Sequence, residues 1–167
     1  NGALAASWRM LATLHRDAGC DAQADFATSQ FDYLSALPPE LQSVASLIQE
    51  GQIAKAEDLC RAFLQKNGHH VEAMRLLAEI GLRFNAYDDA EFLLESAKLL
   101  EPENVSAHYD YAKVLRKRQK FEQALAEAKE LRAKEPGNPE FEMLYANENL
   151  AVGNFDEAMD TYATLLE

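Results

Sequence analysis

Alanine returns at Ala56, Ala90, Ala124 and Ala158, 34 residues apart each time, and Ala24 lies 32 residues before the first of them. A fixed period of this length marks a stack of like units, each unable to bury its apolar face alone. Two neighbouring phrases make the repeat visible. FNAYDDAEFLLESAKLLEPENVSA at 84–107 is echoed by RQKFEQALAEAKELRAKEPGNPE at 118–140. Phe121 stands where Tyr87 stood, Ala124 where Ala90 stood and Pro136 where Pro102 stood.

Other positions keep the same step. Three residues before each anchor sits a large apolar side chain: Ile53, Tyr87, Phe121, Phe155. Five before sits a glycine or an amide: Gly19, Gly51, Asn85, Gln119, Gly153. Twelve before, a small residue recurs as Ala12, Ala78, Ala112 and Ala146. Such a unit reads as two helices joined by a tight turn. Gly or Asn tolerates the left-handed conformation that closes the first helix. Asp88-Asp89 and Asp156-Glu157 then meet the positive end of the second. Pro102 and Pro136 stop that helix, and Asn104 or Asn138 is placed to cap the next. The pattern predicts an all-α superhelix, a solenoid of about ten helices in five hairpins at 5–36, 37–70, 71–104, 105–138 and 139–167, forming a single repeat domain over 1–167.

Composition agrees. Seven glycines and five prolines in 167 residues, with abundant Ala, Leu and Glu, favour helix throughout. No apolar run approaches the roughly 20 residues of a membrane span, so no membrane partner is expected. NGALAASWRML carries no charged leader, and the missing initiator Met predicts a chain processed from a longer one. Cys20 and Cys60 form no ligand pair and no disulfide framework, which fits a reducing, cytoplasmic setting. A net charge of −12 argues against nucleic acid. That charge is unevenly spread: residues 105–138 hold eight Lys/Arg against five acids, while 139–167 hold seven acids and neither Lys nor Arg.

These spacings resemble the tetratricopeptide repeat, with its small residues at unit positions 8 and 20 and proline at 32, over roughly residues 5–167. A narrower resemblance is carried by MRLLAEIGLRFNAYDDAEFLLESAKLLEPENVSAHYDYAKVL, by NPEFEMLYANENLAVGNFDEAMDTYATLLE, and by LPPELQSVASLIQEGQIAKAEDLCRAFL before them. These stretches look like the amino-terminal repeat region of bacterial tetratricopeptide sulfotransferases. In that family the repeats precede a catalytic domain that uses the sulfate donor PAPS. No Arg-Ser-Gly-Thr-like phosphosulfate loop is present in this chain.

Chemistry is not expected here. His15, His69, His70 and His108 lack the i, i+4 partners of a helical metal site, and no Gly-rich phosphate loop or nucleophile elbow occurs. The histidines read as solvated or packing residues, Cys60 as a core thiol, and the carboxylates mostly as helix starts and outer faces. No catalytic residue, cofactor or metal is predicted. A repeat stack offers an extended groove instead. The resemblance implies that unit positions 2, 5, 9, 12 and 13 face it. Those positions supply Arg9, Thr13, Arg16 and Asp17, then Leu41, Ala45, Ile48 and Gln49. The third unit supplies Glu72, Arg75, Glu79, Leu82 and Arg83, the fourth Tyr109, Lys113, Arg116 and Lys117, the fifth Met143, Asn147 and Leu150.

The expected site is a basic strip of Arg75, Arg83, Lys113, Arg116 and Lys117, with Glu79, Tyr109, Met143 and Asn147 beside it. It would hold a protein, an acidic extended peptide or an anionic sugar, Arg supplying forked hydrogen bonds to carboxylate or sulfate. The competing reading of KVLRKRQK is a solvated helix end, its cations offsetting Glu79 and Asp110, with Arg118 and Lys120 turned elsewhere. A chaperone-type carboxylate clamp is not matched, because the positions it needs hold Arg75, Glu79, Asp110, Glu140 and Leu144. Gly81 and Asn149 occupy a unit position that is Leu in Leu47 and Leu115, and Asn149 is expected to bond across the stack or to mark a repacked helix. The last helix carries no polar cap, which predicts continuation of the chain or pairing with a second copy, a homodimer. Three roles stay open: a protein-interaction scaffold, a self-association module, and a substrate-positioning region of a PAPS-dependent sulfotransferase.

Overall fold

The computed structural model describes residues 3–166, all helix and turn. Ten helices follow in order: α1 Ala3–Asp17, α2 Asp21–Ala36, α3 Pro39–Gln49, α4 Ile53–Asn67, α5 Val71–Arg83, α6 Tyr87–Leu100, α7 Val105–Lys117, α8 Phe121–Lys134, α9 Pro139–Val152 and α10 Phe155–Leu165. No strand occurs among the described residues. None of these helices is long and apolar enough to cross a membrane.

The turns form as the residues dictate. Gly19, Gly51, Asn85, Gln119 and Gly153 all have positive φ, between 58° and 90°. Asn85 and Gln119 adopt this conformation with a Cβ, which only a strongly determined turn sustains. At 85 the turn is reinforced by the Tyr87 hydroxyl, which donates to Asn85 Oδ1 over 2.7 Å. Caps begin α7 and α9: Asn104 Oδ1 accepts from the Ala107 amide at 3.0 Å and Asn138 Oδ1 from the Glu140 amide at 3.0 Å.

The chain divides into two compact units, Asn1–Ile80 and Gly81–Glu167, the division falling within α5. In the first, α1 packs on α2, α3 on α4, and α3 also touches α1 and α2. Ala24, Ala56 and Ala78 are buried, and Val44 fills the site where other hairpins place alanine. Cys60 is fully buried, its thiol donating to the Ala73 carbonyl at 3.2 Å, and burial pushes it up to about 12. It is a packing thiol, inert as a nucleophile.

In the second unit α6 packs on α7, α7 on α8, α8 on α9 and α9 on α10. Ala90, Ala112, Ala124, Ala146 and Ala158 are buried where these helices meet. Leu125, Ala128, Leu131, Phe141, Leu144 and Tyr145 close over Ala112 to form one apolar cluster, with Val105, Tyr109 and Val152 against its edge. Gly81 leaves room at its missing Cβ, whose nearest neighbours would be the Ala86 carbonyl oxygen at 3.4 Å and the Ala90 Cβ at 3.5 Å.

One expectation is corrected here. Asn149 does not bond across the stack. Its Nδ2 donates to the Tyr145 carbonyl at 3.0 Å and its Oδ1 accepts from Asn154 Nδ2 at 3.0 Å, so it fastens the end of its own helix to the turn that follows. Glu127 and Glu148 are the buried exceptions among carboxylates that mostly lie at helix starts and outer faces.

Candidate functional site

The second unit carries a depression of about 470 Å³ lined by Tyr109, Lys113, Arg116, Pro139, Glu140, Met143, Leu144 and Asn147. Tyr109, Lys113 and Arg116 project from one side of α7, spaced four and three apart; Met143 and Asn147 share a side of α9, four apart. Beneath them the apolar cluster fixes both helices. Phe141 packs on Tyr109 with ring centroids 5.8 Å apart. Pro139, Met143 and Leu144 give the depression an apolar floor, while Lys113 and Arg116 are its cations.

Each cation already has a carboxylate, but the two are held differently. Lys113 Nζ lies 3.6 Å from Asp110 Oδ1 and 5.2 Å from the Tyr109 ring centroid, and its side chain is 50% exposed. Arg116 donates from Nη1 to Glu148 Oε1 at 2.9 Å; its own side chain is 44% exposed, whereas Glu148 has no exposure at all. Among the described residues, the second Glu148 oxygen has no hydrogen-bond partner. Burial raises the Glu148 carboxyl above its usual range, and the Arg116 charge and hydrogen bond partly oppose that rise. Arg116 is therefore clamped from below, with further guanidinium N–H groups left to face outward. Burial, and then the Glu140 and Asp110 charges, raise the Tyr109 phenol, so it stays a neutral hydroxyl. The Asn147 amide is oriented from behind: Tyr162 donates to its Oδ1 at 2.8 Å.

The fold thus brings together Tyr109, Lys113, Arg116, Met143 and Asn147 of the expected set. Arg83 and Lys117 are exposed at the ends of α5 and α7 and do not line the depression. Arg75 and Glu79 belong to the first unit, both half-buried on α5. There Arg75 donates to Glu72 Oε2 at 2.8 Å, the same oxygen that accepts the Tyr33 hydroxyl at 2.9 Å, and its guanidinium stands 5.9 Å from the Tyr33 ring centroid. Glu140 also lines the depression, and both of its cations have a carboxylate partner. Arg118 and Lys120 do turn elsewhere, reaching Glu91 at 2.6 and 2.7 Å, with Arg118 also at Asp88.

Three of the four expected groove residues of α3 are corrected, while Gln49 is exposed. Leu41, Ala45 and Ile48 are core, buried among the first four helices. In the same unit α1 leaves Met10 and Leu14 exposed beside Arg9 and Thr13, around a separate depression of about 660 Å³.

Sequence reasoning missed Glu148, and a readable signal was present. Residues 46, 80, 114 and 148 share one unit position, and all four are buried: Ser46, Ile80, Val114 and Glu148. An acid where the unit otherwise buries small or apolar side chains marks a built interaction.

Comparison with known proteins follows this geometry. The tetratricopeptide repeat family model matches residues 47–113, 85–148 and 115–167, spanning 47–167 together. Among solved structures, "Crystal structure of MamA protein" aligns at TM-score 0.68 with 16% identity, covering 99% of this chain and 92% of that one. "Crystal structure of MamA" aligns at 0.69 with 18% identity over 93% and 92%. "MamA RS-1 ArsTM double mutant" aligns at 0.69 with 14% identity over 97% and 92%. At such identity these neighbours share the fold. No curated protein matches the sequence. With its helical hairpins and a family match over most of its length, the chain belongs to the tetratricopeptide repeat family.

Proposed function

We propose that this chain is a protein-binding scaffold and that the α7–α9 depression receives an extended segment of its partner. One observation carries the reading. The depression combines an apolar floor with two half-exposed cations and an oriented carboxamide in one small volume. An apolar partner side chain fits over Pro139, Met143 and Leu144. A partner carboxylate placed between Lys113 and Arg116 would gain charge-assisted hydrogen bonds. Asn147, its oxygen taken by Tyr162, offers its NH₂ to a backbone carbonyl. The preferred segment is therefore mixed, apolar with an acid nearby, since Glu140 disfavours a uniformly acidic one. Lys117, exposed at the end of α7, extends the proposed contact.

The test is capture of a partner at low and high salt by the native chain and by Lys113→Glu and Met143→Glu. Both residues are exposed, so the fold survives. Arg116 is left intact because it holds Glu148. Loss with either variant, and with salt for the charged contact, supports the reading. A partner indifferent to both variants moves the site elsewhere.

A second reading is self-association, favoured by the exposure of Phe155, Met159 and Leu166 along α10. Concentration-dependent mass in solution separates it from the first. The sulfotransferase resemblance adds a finer version of the scaffold role, in which the same depression positions an acceptor protein for a catalytic domain. It rests on the resemblance of the repeat phrases alone. The cytoplasmic setting rests on the two free cysteines.

A further inference from the structure

We propose that His108, Glu127 and Glu130 form a binding site for one divalent cation of the zinc class. The three ligand atoms lie within 4.8 Å of one another. Helix α7 supplies the histidine, and α8 supplies two glutamates three residues apart, hence on one side of that helix.

His108 is 5% exposed in its side chain, and both of its ring nitrogens have neighbours. Nε2 lies 2.9 Å from the Pro102 carbonyl oxygen, which can only accept. Nε2 therefore carries hydrogen. With the hydrogen on Nε2, Nδ1 faces Glu127 Oε2 at 2.9 Å and Glu130 Oε2 at 3.6 Å. A lone pair facing carboxylate oxygens is repulsive until a positive centre sits between them. A proton on Nδ1 supplies one answer; a metal ion supplies the other, and the surroundings are arranged for it.

A ring N–H donated to a backbone carbonyl is the support that fixes a ligating histidine in its tautomer. Lys98 Nζ bonds the other oxygen of Glu127, which leaves Oε2 directed at the imidazole. Lys134 Nζ donates to the same Pro102 carbonyl at 3.0 Å and holds that acceptor in place. The arrangement is closed on the Pro102 side and open on the Glu130 side, where the glutamate is 58% exposed. An ion can approach there and keep solvent in its remaining positions. Bonds of about 2.0–2.2 Å to nitrogen and carboxylate oxygen are within reach of small side-chain movements from these distances. A site of this make, one nitrogen and two oxygens with solvent, suits zinc and its neighbours better than calcium, which takes 6–8 oxygens.

The test is titration of metal-stripped full chain with Zn²⁺ by calorimetry, and with Co²⁺ by its visible absorption. Expected is one ion per chain, with a cobalt spectrum of low coordination number. His108→Ala abolishes it. Because that histidine is buried, Glu130→Gln is the companion variant; its side chain is exposed and the fold is kept. It weakens binding by about tenfold or more, as loss of a metal-site contact does. His69→Ala, in the exposed turn before α5, leaves the affinity unchanged. Absence of saturable binding overturns the proposal, and so does binding that Glu130→Gln leaves intact or that His69→Ala removes.

Discussion

Helices α3 and α7 occupy the same place in their hairpins and end up with opposite fates. At matching unit positions α3 carries Leu41, Ala45 and Ile48, all buried, while α7 carries Tyr109, Lys113 and Arg116, half-buried or exposed around a depression. The backbone plan is shared, since both helices end in a left-handed residue, Gly51 after α3 and Gln119 after α7. The side chains decide the difference. Three apolar groups are drawn into the core of the first unit, and of the four expected groove positions of α3 only Gln49 stays exposed. In the second unit the core is satisfied by Ala112, Leu125, Ala128, Leu131 and Phe141, and the cations stay at the surface over it. Unit position defines a face; residue chemistry decides whether that face becomes core or site.

Exchanging the two chemistries gives the largest expected effect. Ile48→Arg puts at α3 what α7 carries in Arg116, and buries a charge with no built partner. The first unit is expected to lose about 4 kcal/mol or more, read as a collapse of the urea midpoint. A variant that stays near native would show that α3 opens to solvent and would break the comparison.

Removal of Arg116 comes next, because it leaves Glu148 buried and unpaired. Arg116→Ala is expected to destabilise by about 3 kcal/mol at neutral pH. The effect depends on pH in a definite direction. Glu148 has a raised carboxyl in the fold, so the folded chain binds that proton more tightly than the unfolded chain. Stability from this group is fully present below the unfolded carboxyl range and is lost as pH rises through the folded value. Without Arg116 the carboxyl rises further. The variant therefore approaches the native chain near pH 4 to 5 and falls behind it toward pH 7, as denaturation at about those two values would show.

Smaller effects sharpen the same contrast. Asn149→Ala removes the tie to Asn154 and is expected to weaken the second unit by about 1 kcal/mol in thermal or urea unfolding. Gly81→Ala has room for its methyl and is expected to stabilise by about 0.5–1 kcal/mol, through the unfolded chain. Lys113→Ala breaks a pair with half-exposed partners and should move stability by less than about 0.5 kcal/mol while lowering partner affinity. That separation of stability from binding is what distinguishes Lys113 from Arg116.

Much of this was legible in the sequence for a physical reason. The period sets where small residues must lie, and Ala24, Ala56, Ala90, Ala124 and Ala158 are all buried. The five turn residues needed a left-handed backbone, and each has it. Periodicity says nothing about who pairs with whom across a hairpin. His108 reaches Glu127 over 19 residues and Arg116 reaches Glu148 over 32, contacts that depend on helix packing and rotamer. The buried acids were hidden for a related reason. Glu127 and Glu148 sit at unit positions that are uncharged in other hairpins, Leu59, Leu93 and Thr161 for the first and Ser46, Ile80 and Val114 for the second. Reading carboxylates by composition alone assigns them to the surface. Reading them by unit position marks them as exceptions that need partners.

The central claim is that the α7–α9 depression is where a partner segment binds. Its most direct test is backbone amide shift mapping on the isotopically labelled chain, with a peptide selected for binding to it. The account expects the largest shifts at Tyr109, Lys113 and Arg116 on α7 and at Met143 and Asn147 on α9. Shifts concentrated instead around Met10 and Leu14 on α1, or along α10, with α7 and α9 silent, would contradict it.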